Sequence, residues 1–157
     1  GWKHPNPLRR HYYDSGANEG TGFYAEEMML QAGLWADSPK SREIIYNFAR
    51  ARALRVEVDV KLALGEFTIA EAADYLEAMV PMDRATAEHE AVFFAAAPGQ
   101  AISYQIGKMQ TAEFLAEARV REGDAFDLKR FHDFLWLNGN VPIALQKEEY
   151  LAATGAD

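Results

Sequence analysis

The sequence predicts an all-α domain, and three observations carry that prediction. Helix-start signals recur along the chain, at Ser38-Pro39, at the Thr68-Ile69-Ala70-Glu71 capping box, at Asp83 and at Asp127. Glycine or proline punctuates the segments between them, at Gly33, Gly65, Pro81, Pro98-Gly99, Gly123 and Gly139. No pair of strand-like segments is joined by a hairpin turn, and neither an internal repeat nor a low-complexity tract is present. About seven helices follow from this punctuation.

Residues 1–16 hold Pro5, Pro7 and Gly16 among alternating aromatic and basic residues with no sustained period, which predicts an extended arm laid over another surface, followed by a helical domain over 17–157. The first helix is expected from about Ala17 to Leu30, with Gly33 as its left-handed stop. Ser38 as N-cap and Pro39 in the first turn open a second, long helix in which Ile44, Ile45, Phe48 and Ala49 keep helical spacing. Its second half is ambiguous, because Val56, Val58, Val60 and Leu62 alternate with Glu57, Asp59 and Lys61 as in a half-buried strand. We read it as helix: no turn residue separates Ile44 from Leu64, and Arg55 with Asp59 makes a favourable i,i+4 pair. The strand remains the alternative. A third helix runs from the Thr68 capping box to about Val80, where Pro81 breaks it. Asp83 caps a fourth that continues through Ala97. After Pro98-Gly99 a fifth reaches Glu122 and Gly123; Asp127 caps a sixth ending near Gly139, and Pro142 stands in the first turn of the last.

At 157 residues and 49% hydrophobic content the chain can bury one sizeable core, so it is one domain or one piece of a larger one. Sixteen Lys and Arg against twenty-four Asp and Glu give a net charge of −8, with basic residues gathered only at Arg9-Arg10 and between Arg50 and Arg55, which argues against nucleic acid as a partner. With no cysteine there is no disulfide framework and no thiolate zinc site; a metal would need His and carboxylate ligands. No apolar run approaches the ~18 residues of a membrane span, and Gly1 to Pro5 lacks the apolar core of a signal peptide.

Two stretches can carry chemistry. On the first helix Glu19, Phe23, Glu26 and Leu30 fall on one side. Either the two carboxylates lie in water at the edge of the apolar stripe, or they face a cation, since an unpaired charge is expensive to bury. On the fifth helix Gln100, Ser103, Tyr104 and Gly107 share a face opposite Ile102, Ile106 and Met109. That face suits a close helix crossing with a hydrogen-bonded core tyrosine; it also suits a phenol that donates to a developing oxyanion. The four histidines form no two-ligand pattern on one helix face, and His132 reads first as a hydrogen-bonded helix residue and only second as a metal ligand. No Ser-His-Asp pattern, phosphate loop or thiol nucleophile is readable.

Taken in order, these segments resemble a bacterial family known as domain of unknown function 885. The family's Glu-Gly-Trp-Ala-Leu-Tyr-Ala-Glu motif is similar to Glu19-Gly20-Thr21-Gly22-Phe23-Tyr24-Ala25-Glu26, and its Pro-Gly-Gln-Ala-Leu-Ser-Tyr-Lys-Ile-Gly motif to Pro98 through Gly107, differing at Ile102 and Gln105. Its Phe-Asp-Leu-Arg-x-Phe-His-Asp ending resembles Phe126 through Asp133, followed by Asn138-Gly139 and Val141-Pro142. The likeness spans roughly residues 5–150.

The resemblance implies a zinc peptidase or amidohydrolase with a helical fold of the thermolysin-like and angiotensin-converting-enzyme-like group, of which this chain looks like the C-terminal part. It implies Glu19 as the third protein ligand of zinc, Glu26 as an acceptor that orients the ligands, Tyr104 as the oxyanion donor, and Gln100 and Ser103 as cleft residues binding a peptide substrate. The remaining zinc ligands and the general base would lie on a His-Glu-x-x-x-Gly-His-type helix upstream of Gly1, in the N-terminal half of the same protein, so that these 157 residues alone bind zinc weakly. That half, or a second copy, would cover an apolar face carrying Glu19, Phe23 and Tyr104. Three positions depart from the family: Thr21 stands for Trp, Ala63 for a common His, and Phe93 for a common Arg. The contrasting expectation is a non-catalytic helical module, either a decayed family member or an interaction domain with an aromatic arm.

Overall fold

The fold follows from where each helix can start and stop. A computed structural model describes residues 4–155. Among them are seven α-helices and no strand: α1 (Ser15–Gln31), α2 (Pro39–Ala63), α3 (Ile69–Met79), α4 (Arg84–Ala96), α5 (Gln100–Glu122), α6 (Leu128–Leu137) and α7 (Ile143–Ala153), with a 3₁₀ turn at Gly123–Ala125. Side chains close most of the N-termini. Thr68 accepts from the Glu71 backbone N–H while the Glu71 carboxylate accepts from that of Thr68, a reciprocal capping box. Asp83 and Asp127 accept from the N–H groups of Thr86 and Arg130.

Two starts differ from the expectation. α1 begins at Ser15 rather than Ala17, because Asp14 supplies the cap by accepting from the Ala17 N–H at 2.7 Å. Ser38 holds the N-cap position of α2 but caps nothing with its side chain, which bonds the Ser41 hydroxyl instead. Gly33 and Gly65 take φ of +97° and +72° at the ends of α1 and α2, where a side chain would be strained.

α2 is helical throughout, so the strand alternative for 56–62 fails. Burial gives the reason: a strand would put Val56, Val58, Val60 and Leu62 on one face, yet Val58 is buried and Val60 exposed. Ala51 and Val58, two turns apart, define the buried face of a helix.

The described chain divides into two units, residues 4–24 with 106–155 and residues 25–105, so that α1 and α5 each contribute to both. In the first, Phe114, Phe131 and Tyr150 meet edge to face, with ring centroids 4.7 Å apart for Phe114–Phe131 and 5.4 Å for Phe114–Tyr150, surrounded by Ala17, Ala118, Leu135, Ile143 and Leu151. In the second, α3 and α4 pack through Ala72, Ala73, Ala87 and Ala91 against Val58, Leu76, Phe94 and Ala101.

Candidate functional site

Within the first unit, α1 and α5 touch through their backbones. A Cβ added at Gly20 would lie 2.3 Å from the Cα of Gly107, and one at Gly107 would lie 1.9 Å from the carbonyl oxygen of Gly16. Only glycine permits that approach. Gly107 therefore serves the close helix crossing, one of the two roles its face allowed. Half-buried Glu19 immediately precedes the contact. One turn further on, Phe23 is 4% exposed, with the Lys108 ammonium 4.3 Å from its ring centroid. The expected uncovered apolar face does not include it: the side chain has no room to be exposed once the helices meet this closely.

Tyr24, from the same motif, is buried, and its hydroxyl shares a 2.9 Å hydrogen bond with His132 Nε2. Burial raises the phenol's pKa and lowers that of the imidazole, so both are neutral near pH 7. Trp136 stacks on the far side of the imidazole, centroids 6.2 Å apart. His132 is thus the hydrogen-bonded helix residue that its context suggested.

In the second unit Glu26 is clamped by Arg52, with its two oxygens 2.6 and 2.8 Å from the two guanidinium nitrogens. Tyr104 lines a cleft of about 250 Å³ with Arg55, His89, Glu90, Phe93 and Phe94. Arg55 Nε and Glu90 Oε2 stand 2.5 Å apart as an ion pair whose angles do not make a directed hydrogen bond, leaving both atoms without one. Phe93 puts an aromatic ring, where the family resemblance led us to expect a guanidinium, into the cleft that Arg55 supplies with one. Gln100, one turn before Tyr104, and the adjacent Ser103 are half-buried, and the Ser103 hydroxyl donates back to the Gln100 carbonyl at 2.7 Å.

What holds the Pro98-Gly99-Gln100 segment is Asp59. This carboxylate is 1% exposed and accepts from the backbone N–H groups of Gly99 and Ala101 at 2.8 and 2.9 Å, capping α5 from α2. The expected Arg55–Asp59 pairing therefore does not form; each residue finds a partner off its own helix. The signal in the sequence was an omission: Pro98-Gly99 supplies no side chain to cap the helix it opens, so the acceptor has to be remote. Arg52 as the partner of Glu26 carried no comparable signal.

As a metal site the described residues are incomplete, since no group of three His, Asp or Glu among them is arranged to hold an ion. Glu26 is held by Arg52 and His132 bonds Tyr24; the ligand that the family resemblance implies in this chain is Glu19. Glu19 lies in the first unit, whereas Glu26, Gln100, Ser103 and Tyr104 lie in the second.

A family model described as bacterial protein of unknown function, DUF885, matches residues 2–149. The chain belongs to the DUF885 family. A crystal structure described as that of "the putative lipoprotein from Colwellia psychrerythraea" superimposes with a TM-score of 0.84 at 30% sequence identity, over 90% of this chain and 24% of that one. The DUF885 chain thus spans about a quarter of the length of that relative. No curated protein matches it. Among the described residues no helix is long and apolar enough to cross a membrane.

Proposed function

We propose that this DUF885 chain is part of a zinc-dependent peptidase or amidohydrolase of the angiotensin-converting-enzyme-like helical type. It supplies one metal ligand, Glu19, and one oxyanion donor, Tyr104, to a site completed by residues outside it. Gln100 and Ser103 line the path of a peptide substrate, and Glu26, held by Arg52, fixes the orientation of groups around the metal. The other ligands and the general base belong to a His-Glu-x-x-x-Gly-His-type helix in the N-terminal half of the same protein, or else the site is completed by a second copy.

The observation that supports this reading is the glycine contact. The Glu-Gly motif of α1 meets Gly107, the last residue of the α5 motif, backbone to backbone at Gly20 within the first unit, which fixes the stretch of α1 that carries Glu19. The test is metal content. A longer DUF885 protein containing this chain is expected to hold about one zinc per chain and to lose it in Glu19→Ala. The 157-residue chain alone should bind zinc only weakly by calorimetry, since one carboxylate cannot hold the ion against water. Retention of zinc by the Glu19→Ala protein, or tight binding by the short chain, would sink the proposal.

A second reading, a helical interaction module without catalysis, is favoured by one feature of the second unit. Leu34, Trp35, Ile44, Tyr46 and Phe48, from the end of α1 to the middle of α2, are all exposed. Absence of metal from a correctly folded longer protein would favour it.

A further inference from the structure

The larger cleft of the first unit belongs to neither reading. It encloses about 610 Å³, within the range of small-molecule sites, between the turns of residues 4–12, the start of α1, the end of α6 and the loop before α7. Gly139 makes room for it: at φ +88° it lets the arm pass so close that an added Cβ would sit 3.3 Å from that of Arg9.

The lining has three chemical components. The first is positive charge, in a chain whose net charge is −8. Arg9 and Arg10 contribute guanidinium groups, and no Asp or Glu lines the cleft. Arg9 is already neutralised, by an ion pair with Glu149 and a 2.8 Å hydrogen bond to the Asn138 carbonyl. Arg10 is not: it donates to the backbone carbonyls of His4 and Pro5, which anchor it, and meets no carboxylate among the described residues. The second component is aromatic, with Tyr12 and Trp136 both about half exposed in the lining. The third is amide. Asn18, Asn140 and Gln146 line the cleft, and Gln146 is 2% exposed, donates from Nε2 to the Val141 carbonyl at 2.9 Å, and has an Oε1 with no hydrogen-bond partner. Asn18 and Asn140, which are not buried, bring side-chain amides that both donate and accept.

We infer that this cleft binds a small monoanionic carboxylate that carries an aromatic ring and an amide, the chemistry of an N-acylated aromatic amino acid. One uncompensated guanidinium matches one carboxylate through paired N–H donors, the aromatic side chains take the ring, and the amide-bearing side chains take the amide. A phosphoryl dianion would call for more positive charge than Arg10 alone supplies. The inference does not rest on the zinc reading, since neither Glu19 nor Tyr104 lines this cleft.

The experiment is titration calorimetry on the 157-residue protein with N-acetylphenylalanine, its neutral amide and phenyl phosphate as probes. The acid is expected to bind at least tenfold more tightly than the amide, and more tightly than the phosphate ester. Arg10→Gln should lower the affinity for the acid at least tenfold and leave that for the amide within about twofold. Trp136→Ala should weaken acid and amide alike. The contrast between acid and amide is read on the unaltered protein, so it stands even where a variant fails to fold. Equal affinity for acid and amide, tighter binding of phenyl phosphate, no binding at millimolar probe, or a folded Arg10→Gln protein that binds the acid unchanged would each overturn the inference. Zinc content is not expected to differ in Arg10→Gln, which separates failure here from failure of the metal proposal.

Discussion

The two units of this DUF885 chain hold themselves together by opposite means. In residues 4–24 with 106–155 the core is built on interlocking rings, Phe114, Phe131 and Tyr150, and α1 meets α5 at bare glycine backbone. In residues 25–105 the facing side chains of α3 and α4 are mostly alanines, which bury little apolar area each. What fixes the geometry there is a set of buried or half-buried charges with remote partners: Asp59 on the start of α5, Glu26 on Arg52 and Arg55 on Glu90. Large rings fix their own register by shape, whereas a wall of methyl groups slides, so the alanine-rich unit takes its specificity from polar anchors. The first unit should therefore be intolerant of added volume and the second of lost charge.

The most severe way to test that contrast is Gly107→Ala. A methyl group 1.9 Å from the Gly16 carbonyl oxygen has no flexible neighbour to displace, so α1 and α5 must separate. We expect a loss of about 3 kcal/mol or more in chemical denaturation, enough to unfold a marginal domain. Gly22→Ala is the control: it lies in α1, is exposed, and an added Cβ there meets nothing within 4 Å. It should stabilise by roughly 0.5–1 kcal/mol through helix propensity. If Gly107→Ala is as well tolerated as Gly22→Ala, the glycine contact does not fix the stretch of α1 that carries Glu19, and the main support for the metal proposal goes with it.

Next in size is Asp59→Ala, which leaves two N–H groups at the start of α5 without their acceptor in a site closed to water. The expected cost is about 3 kcal/mol, because each lost bond was to a charged acceptor. Asp59→Asn keeps one acceptor oxygen but replaces the other by a donor, and should recover part of it. Hydrogen exchange sharpens the comparison: Ala101 and the residues after it should lose protection in Asp59→Ala, while amides of α6 keep theirs. Uniform loss across both units would mean that the anchor is not local to residues 25–105.

The same contrast explains what was legible in the sequence. Helices announced by local chemistry were readable: the Thr68–Glu71 box, Asp83 and Asp127 each act on a backbone group three residues away, and all three cap as their spacing requires. Gly107 was readable as a place of close approach; Gly20, which meets it, carried no such sign. Interactions across long stretches of chain were not. Arg55 and Asp59 invited pairing because they are four apart on a helix, but the structure puts Asp59 on Gly99 and Ala101, and Arg55 beside Glu90. Alternation in Val56–Leu62 imitated a strand because helical burial of Val58 with half-burial of Val56 and Leu62 produces nearly the same string. At the candidate site, the sequence singled out Tyr104 and Gln100 as expected site residues but gave no sign that Arg55 shares the cleft with Tyr104 or that Arg52 holds Glu26. The cleft beside the arm was missed altogether, because it is assembled from four separate segments with no shared period.

The smallest expected effect concerns His132, a titrating group packed beside the rings of the first unit. Burial holds the His132 pKa below its usual 6.5, with the neighbouring Asp133 opposing the shift only in part. The folded protein therefore binds a proton there less readily than the unfolded chain, and the sign follows: stability is unaffected above the unfolded value and falls as pH drops from about 6.5 toward the lower folded value. Protonation gives both ring nitrogens an N–H, so Nε2 then donates to the Tyr24 oxygen; the acid cost comes from burying the imidazolium charge, not from losing the bond between α1 and α6. Denaturation midpoints between pH 7 and 5 should decline in the parent protein and decline less in His132→Gln, which has no proton to gain. Tyr24→Phe should cost about 1 kcal/mol at pH 7 and more below the folded pKa, where the phenol oxygen accepts a charge-assisted bond from the imidazolium. An NMR titration placing the His132 midpoint above 6.5 would reverse the sign, and would mean that Asp133 rather than burial governs this corner of the aromatic unit.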